Sequence, residues 1–144
     1  GARIAKIDAN WQPIPGTEED IKCDTICLAV GLSPLTELCW QAGCEMAFIR
    51  ELSGHVPIID DYLETTVPGI FVAGDVSGIE EASSAMVEGK LAGLSAAASL
   101  GYGADVAPAL QQDAMKELDE LRAGPMGERI RMGLEKVAEK GGAK

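Results

Sequence analysis

Residues 65–75 read TTVPGIFVAGD, and this stretch decides how the rest of the chain is interpreted. Its short apolar run, residues 70–73, predicts a buried β-strand. The run stops at Gly74-Asp75, and a carboxylate buried at the tip of a strand is expensive unless a polar group pairs with it. The interpretation therefore depends on what Asp75 meets.

The residue types at the end of this strand suit a nucleotide-like ligand. Gly74 has no Cβ, so a ligand can lie against the backbone there. An ionised Asp75 only accepts hydrogen bonds and would pair with hydroxyl donors, such as those of a ribityl or ribose chain. The same Gly-Asp pattern is also typical of a plain turn in which Asp caps the next helix. The residues alone leave both interpretations open.

A long helix is predicted over residues 81–100, after a turn at residues 77–78. Its first turn offers unpaired backbone N–H groups and a partial positive charge, which can hold a phosphate or an electron-rich oxygen. One face carries almost only small residues, so we expect it to pack closely against a sheet or a ligand. That stripe consists of Ala82, Ala85, Met86, Gly89, Gly93, Ala96, Ala97 and Leu100.

The remaining pattern is of the α/β class. Before residue 65 it predicts a strand over 3–8, a long turn or hairpin connection over 10–20, and a largely buried strand over 21–30. A helix follows, capped by Ser33 or Thr36 and ending near residue 42. Residues 45–50 and 55–59 then form a hairpin, and residues 60–64 are a polar connection. After residue 103 it predicts two charged amphipathic helices, 107–123 and 125–139, and a frayed end at 140–144. The two helices either cover the chain's own core or form a docking surface for another subunit.

Composition excludes several classes of partner. The 144 residues are 47% apolar, enough for a core, and carry a net charge of −11. This charge argues against binding to a nucleic-acid backbone and gives no polybasic membrane anchor. The first ten residues have no long apolar core of a signal peptide, and the aliphatic stretch 91–100 is too short to span a bilayer. We therefore expect a cytoplasmic protein without a membrane span.

Cysteine and histidine give little support for a metal site. Cys23, Cys27, Cys39 and Cys44 do not show the paired spacing of zinc ligands, so we expect no metal and reduced thiols that act as buried small hydrophobes. In an extended strand Cys23 and Cys27 would lie about 13 Å apart, too far for a disulfide. Cys39 and Cys44 could approach each other if the chain turns between them. His55, the single histidine, is expected to be a surface or packing residue.

Two motifs resemble those of a known family. The run Thr65-x-x-Pro68-Gly69-Ile70-Phe71-Val72-Ala73-Gly74-Asp75, followed by Val76, Glu88-Gly89 and Ala92-Gly93, resembles the second flavin-binding motif of the pyridine nucleotide-disulfide oxidoreductase superfamily. Residues 23–34, CDTICLAVGLSP, resemble the strand and loop by which the chain of these flavoproteins returns from the NAD(P)H domain to the FAD domain. Over about residues 1–103 the chain is most similar to the branch that contains the FAD-bearing subunits of sarcosine oxidase, hydrogen cyanide synthase and opine or proline dehydrogenases.

The resemblance implies a piece of a flavoprotein with two dinucleotide-binding domains. Residues 1–34 would be the closing strands of the NAD(P)H domain and the return crossover, residues 35–103 the C-terminal part of a Rossmann-like FAD domain, and residues 104–144 a helical extension. The sequence contains no GxGxxG after a strand, so we expect the pyrophosphate-binding βαβ unit to lie outside this chain.

The resemblance also implies cofactors and site residues. Asp75 would hydrogen-bond the ribityl hydroxyl of FAD, and Gly74 would make room for it. Backbone N–H groups around Glu81, Ala82 and Ser83 would face the pyrimidine end of the isoalloxazine. The full-length protein would be an FAD-dependent oxidoreductase, with NAD(P) as a second cofactor, whereas this chain alone has no catalytic residue and should be inactive.

Two other functions stay open at this stage. The chain could be a non-catalytic module derived from this fold that contacts another subunit, the remainder of the flavoprotein or a second copy of itself. An independent small α/β enzyme has the weakest support, because one histidine, no Ser-His-Asp set and no complete phosphate loop leave little catalytic equipment.

Overall fold

The computed structural model describes residues 1–142 as two units, residues 1–31 and residues 32–142. In the first unit, strand β1 (Ala2–Ile4) pairs antiparallel with strand β2 (Glu19–Ile21). Between them, Asp8 closes a turn by accepting hydrogen bonds from the N–H groups of Asn10 and Gln12 at 2.8 and 2.9 Å. The predicted hairpin connection is confirmed.

The predicted buried strand over residues 21–30 is wrong. Strand β2 ends at Ile21, and the apolar side chains of Ile26, Leu28 and Val30 are exposed. A strand persists only where its backbone N–H and C=O groups are paired. No strand of residues 1–142 pairs with residues 22–30, so the apolar composition alone does not produce a strand there.

The second unit begins with the predicted short helix and hairpin. Helix α1 (Glu37–Ala42) starts after Thr36, whose side chain makes no capping hydrogen bond, and ends at a left-handed Gly43. Strands β3 (Met46–Ile49) and β4 (Gly54–Pro57) pair antiparallel, joined by a 3-10 turn over Arg50–Leu52. The predicted hairpin is confirmed.

Residues 70–73 are extended but do not form a regular strand. Phe71 makes an isolated bridge with Glu64, and the N–H of Val72 donates to the carbonyl of Leu63 at 3.0 Å. The predicted strand over 70–73 is therefore wrong as a sheet element, because only one neighbouring segment pairs with it. The polar connection before it is confirmed, with the carboxylate of Asp60 accepting from the N–H groups of Tyr62 and Glu64.

Three long helices complete the second unit and confirm the predicted helical segments. They are α2 (Ala82–Ser99), α3 (Ala107–Leu121) and α4 (Gly124–Gly141). Helix α2 ends at a left-handed Gly101, with the N–H of Tyr102 donating to the carbonyl of Ala97 and the N–H of Gly101 to that of Ala98. Helix α4 extends further than predicted, and residues 143–144 of the predicted frayed end lie outside the described residues. No helix in residues 1–142 is long and apolar enough to cross a membrane.

The buried face of α2 is not the predicted stripe of small residues. The buried residues are Ser84, Val87, Glu88, Leu91, Ala92 and Ser95, and α2 packs against α3. The stripe is exposed or half-buried, and no atom lies within 4 Å of the Cβ positions of Gly89 and Gly93. Burying Val87 and Leu91 removes more apolar area from water than burying alanine and glycine, so the larger residues turn inward.

Helices α3 and α4 cover the unit's own core. Ala114 and Leu118 of α3 pack with Val87 and Leu91 of α2, whereas Leu110 and Leu121 of the same helix are exposed. Ile130, Leu134 and Val137 of α4 pack against the hairpin in a second cluster. Leu52 lies in that cluster and is 1% exposed.

Two glycine-to-alanine substitutions test this packing in opposite directions. A Cβ on Gly133 of α4 would lie 2.6 Å from Cγ of Leu52, so we expect Gly133→Ala to lower the free energy of unfolding by about 1–3 kcal/mol through overpacking. Gly93→Ala meets open space inside α2 and should raise it by about 0.5–1 kcal/mol through helix propensity. Urea unfolding of both variants measures the difference. A Gly133→Ala variant as stable as Gly93→Ala would contradict the packing of α4 on Leu52.

Candidate functional site

The Gly74-Asp75 turn lies against the first turns of helix α2. Ala73 is extended, and residues Gly74–Val76 form one turn of 3-10 helix. Gly74 has φ +77°, a conformation that L side chains rarely adopt, so glycine is needed here for its backbone. A Cβ at this position would lie 3.4 Å from Cβ of Ala85 in α2, which is ordinary contact. The backbone of the turn is thus brought next to α2.

Asp75 is exposed, so its carboxylate is not buried as the apolar run before it suggested. Its side chain takes part in none of the hydrogen bonds and ion pairs found among residues 1–142, while its main-chain carbonyl accepts from the N–H of Gly78 at 3.3 Å. No desolvation cost arises, and the carboxylate is available as a hydrogen-bond acceptor at the surface of the turn.

The buried carboxylate of this region belongs to Glu88, in the second turn of α2. Glu88 is 4% exposed, and its Oε2 accepts from the N–H of Gly74 at 2.6 Å. The hydroxyl of Ser77 lies 3.0 Å from the same oxygen and 2.7 Å from the carbonyl of Gly74, and its single proton can go to either. Glu88 therefore ties the turn to the helix.

Arg122, just after the end of α3, pairs with Glu88 and with Glu80. Its Nη2 donates to Oε1 of Glu88 at 2.5 Å, and its Nε and Nη2 form a fork on the carboxylate of Glu80 at 2.8–3.1 Å. Burial lowers the pKa of Arg122, but the hydrogen bonds and charges of Glu80 and Glu88 outweigh burial and raise the pKa above its ordinary value. We call Glu80, Glu88 and Arg122 the Arg122 cluster.

The other predicted site residues lie at the N-terminus of α2. Glu81 is the N-cap residue and makes no capping hydrogen bond with its side chain, and Glu81, Ala82 and Ser83 are all exposed. The backbone N–H groups of a first helical turn have no partner within the helix. The structure thus places the predicted residues on two adjoining elements, the 3-10 turn with Gly74 and Asp75 and the start of α2.

The cysteines divide into two groups. Cys39 and Cys44 are buried, as predicted, and Sγ of Cys44 lies 3.4 Å from the hydroxyl of Thr65. Burial raises the pKa of the Cys39 thiol, and the neighbouring Cys44 raises it further. Cys27 is exposed and Cys23 half-buried, so the prediction of burial is wrong for these two, because the strand expected to bury them does not form.

His55 is an exposed packing residue, as predicted. Its ring packs edge-on against Phe48 and Trp40, with ring centroids 5.2 and 5.8 Å away. Within residues 1–142, no group of three or more His, Cys, Asp or Glu side chains is arranged to hold a metal ion.

Sequence reasoning missed the Arg122 cluster as part of the site. Glu88 belongs to the run that resembles the second flavin-binding motif but was not predicted to contact the turn. A charged residue on the same helix face as Val87 and Leu91 is a signal of a buried ion pair. Arg122 gave no signal, because its partners lie 34 and 42 residues away in the sequence.

The turn and the start of α2 lie in a segment that matches a recognised family of oxidoreductases. Residues 1–89 match the family described as pyridine nucleotide-disulphide oxidoreductase. The chain belongs to this family, whose members generally bind FAD on a Rossmann-like fold. The Arg122 cluster is completed by a residue beyond the matched segment.

Several curated relatives match at moderate identity. An opine oxidase subunit of Agrobacterium tumefaciens (strain Ach5) is 41% identical over 83 residues, 58% of this chain and 16% of the relative. The HcnB subunit of hydrogen cyanide synthase from Pseudomonas aeruginosa is 30% identical over 93 residues, 64% of this chain and 20% of the relative. Thioredoxin reductase of Listeria innocua is 31% identical over 105 residues, 72% of this chain and 30% of the relative. The chain thus spans less than a third of each, and no solved structure matches it significantly.

Proposed function

We propose that this chain is the C-terminal FAD-domain segment of an FAD-dependent, NAD(P)-linked oxidoreductase and is incomplete alone. The observation that carries the proposal is the Gly74-Asp75 turn, which holds an unpaired carboxylate in solvent while its backbone is fixed from behind by Glu88. We assign residues 1–34 to the end of the NAD(P)H domain and the crossover, 35–103 to the FAD domain and 104–144 to a helical extension. The substrate would be bound by other parts of the protein.

The residues present fit a flavin. Asp75 supplies an exposed acceptor for a ribityl hydroxyl, and Gly74 contributes through its positive φ, which shapes the turn that presents Asp75, while the space of its missing Cβ faces Ala85 of α2. The free N–H groups at Glu81, Ala82 and Ser83, with the partial positive charge of the helix N-terminus, favour an electron-rich pyrimidine edge. Bound FAD would supply hydride transfer at its N5 atom, and this chain would orient the flavin and stabilise negative charge.

The test is FAD binding by the complete protein. The reading frame upstream of this chain should encode a GxGxxG after a strand, and its full-length product should be yellow. Asp75→Ala should weaken FAD binding roughly ten- to hundredfold, because a hydrogen bond to a charged group contributes about 1.5–3 kcal/mol. Flavin fluorescence measures the dissociation constant, and Asp113→Ala, at an exposed residue of α3, is the matched control. A colourless full-length protein in excess FAD, or Asp75→Ala binding as tightly as the control, would contradict the proposal.

A second candidate is a non-catalytic module that contacts another subunit. It is favoured by apolar side chains of the second unit that stand in solvent, among them Leu35, Leu38, Met86 and Leu100. Two of the relatives are themselves named as subunits. Sedimentation of the chain would detect self-association, and recovery of a stable partner without any flavin would favour this candidate over the first.

A further inference from the structure

We propose that Arg122, which lies outside the family-matching segment, is a positioning residue that holds the flavin-contacting turn in place through Glu88. The part of this proposal that concerns FAD rests on the proposed function. The part that concerns the turn rests only on contacts within residues 32–142.

The contacts form a continuous chain from α3 to the turn. Nη2 of Arg122 donates to Oε1 of Glu88 at 2.5 Å, and Oε2 of the same carboxylate accepts from the N–H of Gly74 at 2.6 Å. Arg122 is therefore the cation that fixes where the carboxylate sits, and the carboxylate fixes Gly74. Both charged side chains are at least nine-tenths buried, so water cannot readily take over either bond.

Arg122 also holds the other end of the same loop. The residues between the turn and α2 end at Glu80 and Glu81, and the Arg122 guanidinium forks onto the carboxylate of Glu80. Through Glu88 it reaches Gly74 at the loop's start, and through Glu80 it reaches the loop's end. Spanning two carboxylates in this way needs the planar, multi-donor guanidinium, which a lysine cannot reproduce.

Helix α4 fixes Arg122 in turn. The side chain of Arg131 donates from Nη1 to the main-chain carbonyl of Arg122 and to that of Gly124 at 3.1 Å. The position of Asp75 thus depends on both helices of the extension. As a result, the helical extension, residues 104–144, contributes to flavin binding without contacting the flavin.

Amide exchange of the full chain tests the local step. In Arg122→Met the Gly74 N–H should exchange at least tenfold faster relative to the N–H of Leu91, which reports unfolding of the core, and its proton resonance should move upfield. Arg122→Lys should increase the exchange rate of the Gly74 N–H and shift its resonance by less than Arg122→Met does. If Arg122→Met does not fold, Arg122→Lys alone provides the test. Lys90→Met removes an exposed ion pair between α2 and α3, in which Nζ of Lys90 lies 3.6 Å from the carboxylate of Glu117, and it should change neither the exchange rate nor the resonance of the Gly74 N–H. Unchanged Gly74 exchange and resonance in a folded Arg122 variant would overturn the proposal.

The flavin step is tested in the full-length protein. Arg122→Lys should weaken FAD binding three- to tenfold and shift the flavin reduction potential, whereas Lys90→Met should do neither. If Asp75→Ala weakens FAD binding but Arg122→Lys leaves affinity and potential unchanged, the role of Arg122 in flavin positioning is wrong. If Asp75→Ala is also without effect while Gly74 exchange responds to Arg122, the proposed function fails and the positioning of the turn stands.

Discussion

Arg122→Met should lower the free energy of unfolding of this chain by about 3–5 kcal/mol, as expected when one partner of a buried ion pair is removed. Glu88 would keep its buried carboxylate, at 4% exposure, without the cation that faces it. The side chain of Glu80 is also largely buried, at 15% exposure, and would lose its forked partner. The loss is large against the roughly 5–15 kcal/mol typical of a native protein.

Urea unfolding measures this loss, which is compared with that of Lys90→Met and with a double-mutant cycle on Arg122 and Glu88. Lys90→Met breaks an exposed pair and should cost less than about 1 kcal/mol. Combining Arg122→Met with Glu88→Gln should cost less than the sum of the two single variants, because the buried carboxylate is then neutralised. A cost for Arg122→Met as small as that of Lys90→Met would show that the cluster is not buried as described.

Leu52→Ala should lower the free energy of unfolding by about 2–5 kcal/mol, through lost burial and the cavity left behind. Leu52 is 1% exposed and packs with Ile49 and Val56 of the hairpin and with Ile58, which follows β4. Helix α4 closes over it so tightly that Gly133 has no room for a Cβ. The surrounding elements therefore cannot collapse easily into the space that the missing atoms leave.

Thermal or urea unfolding checks this second expectation. The matched control is Leu38→Ala in α1, where the leucine is 79% exposed, and it should change stability by less than about 0.5 kcal/mol. Leu52→Met keeps most of the volume and should cost less than about 1.5 kcal/mol. Equal effects of Leu52→Ala and Leu38→Ala would contradict the assignment of Leu52 to the core.

The helices and turns could be predicted from the sequence because their causes are local. Gly101 ends α2 and Gly124-Pro125 begins α4 through backbone conformations that glycine and proline favour at these positions. The hairpin before residue 60 is likewise set by neighbouring residues. The strands over 21–30 and 70–73 were not correctly predicted, because a strand depends on a partner that apolar composition cannot supply.

Burial could be predicted only in part. Leu52 stands between Glu51 and Ser53 in the connection of the predicted hairpin, between the segments 45–50 and 55–59, yet it is central to the core. Its burial comes from α4, which lies some 80 residues later in the chain. On α2, small residues suggested a close contact, but the larger residues on another face packed against α3 instead.

The sequence by itself determined that the chain turns at Gly74-Asp75 and that a helix follows, because the positive φ of a glycine and the helix-forming residues after it act locally. Only the tertiary structure decided which carboxylate is exposed and which is buried. Asp75 is free in solvent, whereas Glu88 is buried and paired with Arg122, 34 residues away. A charge can be buried only where a partner reaches it, and folding of α3 and α4 onto α2 supplies that partner.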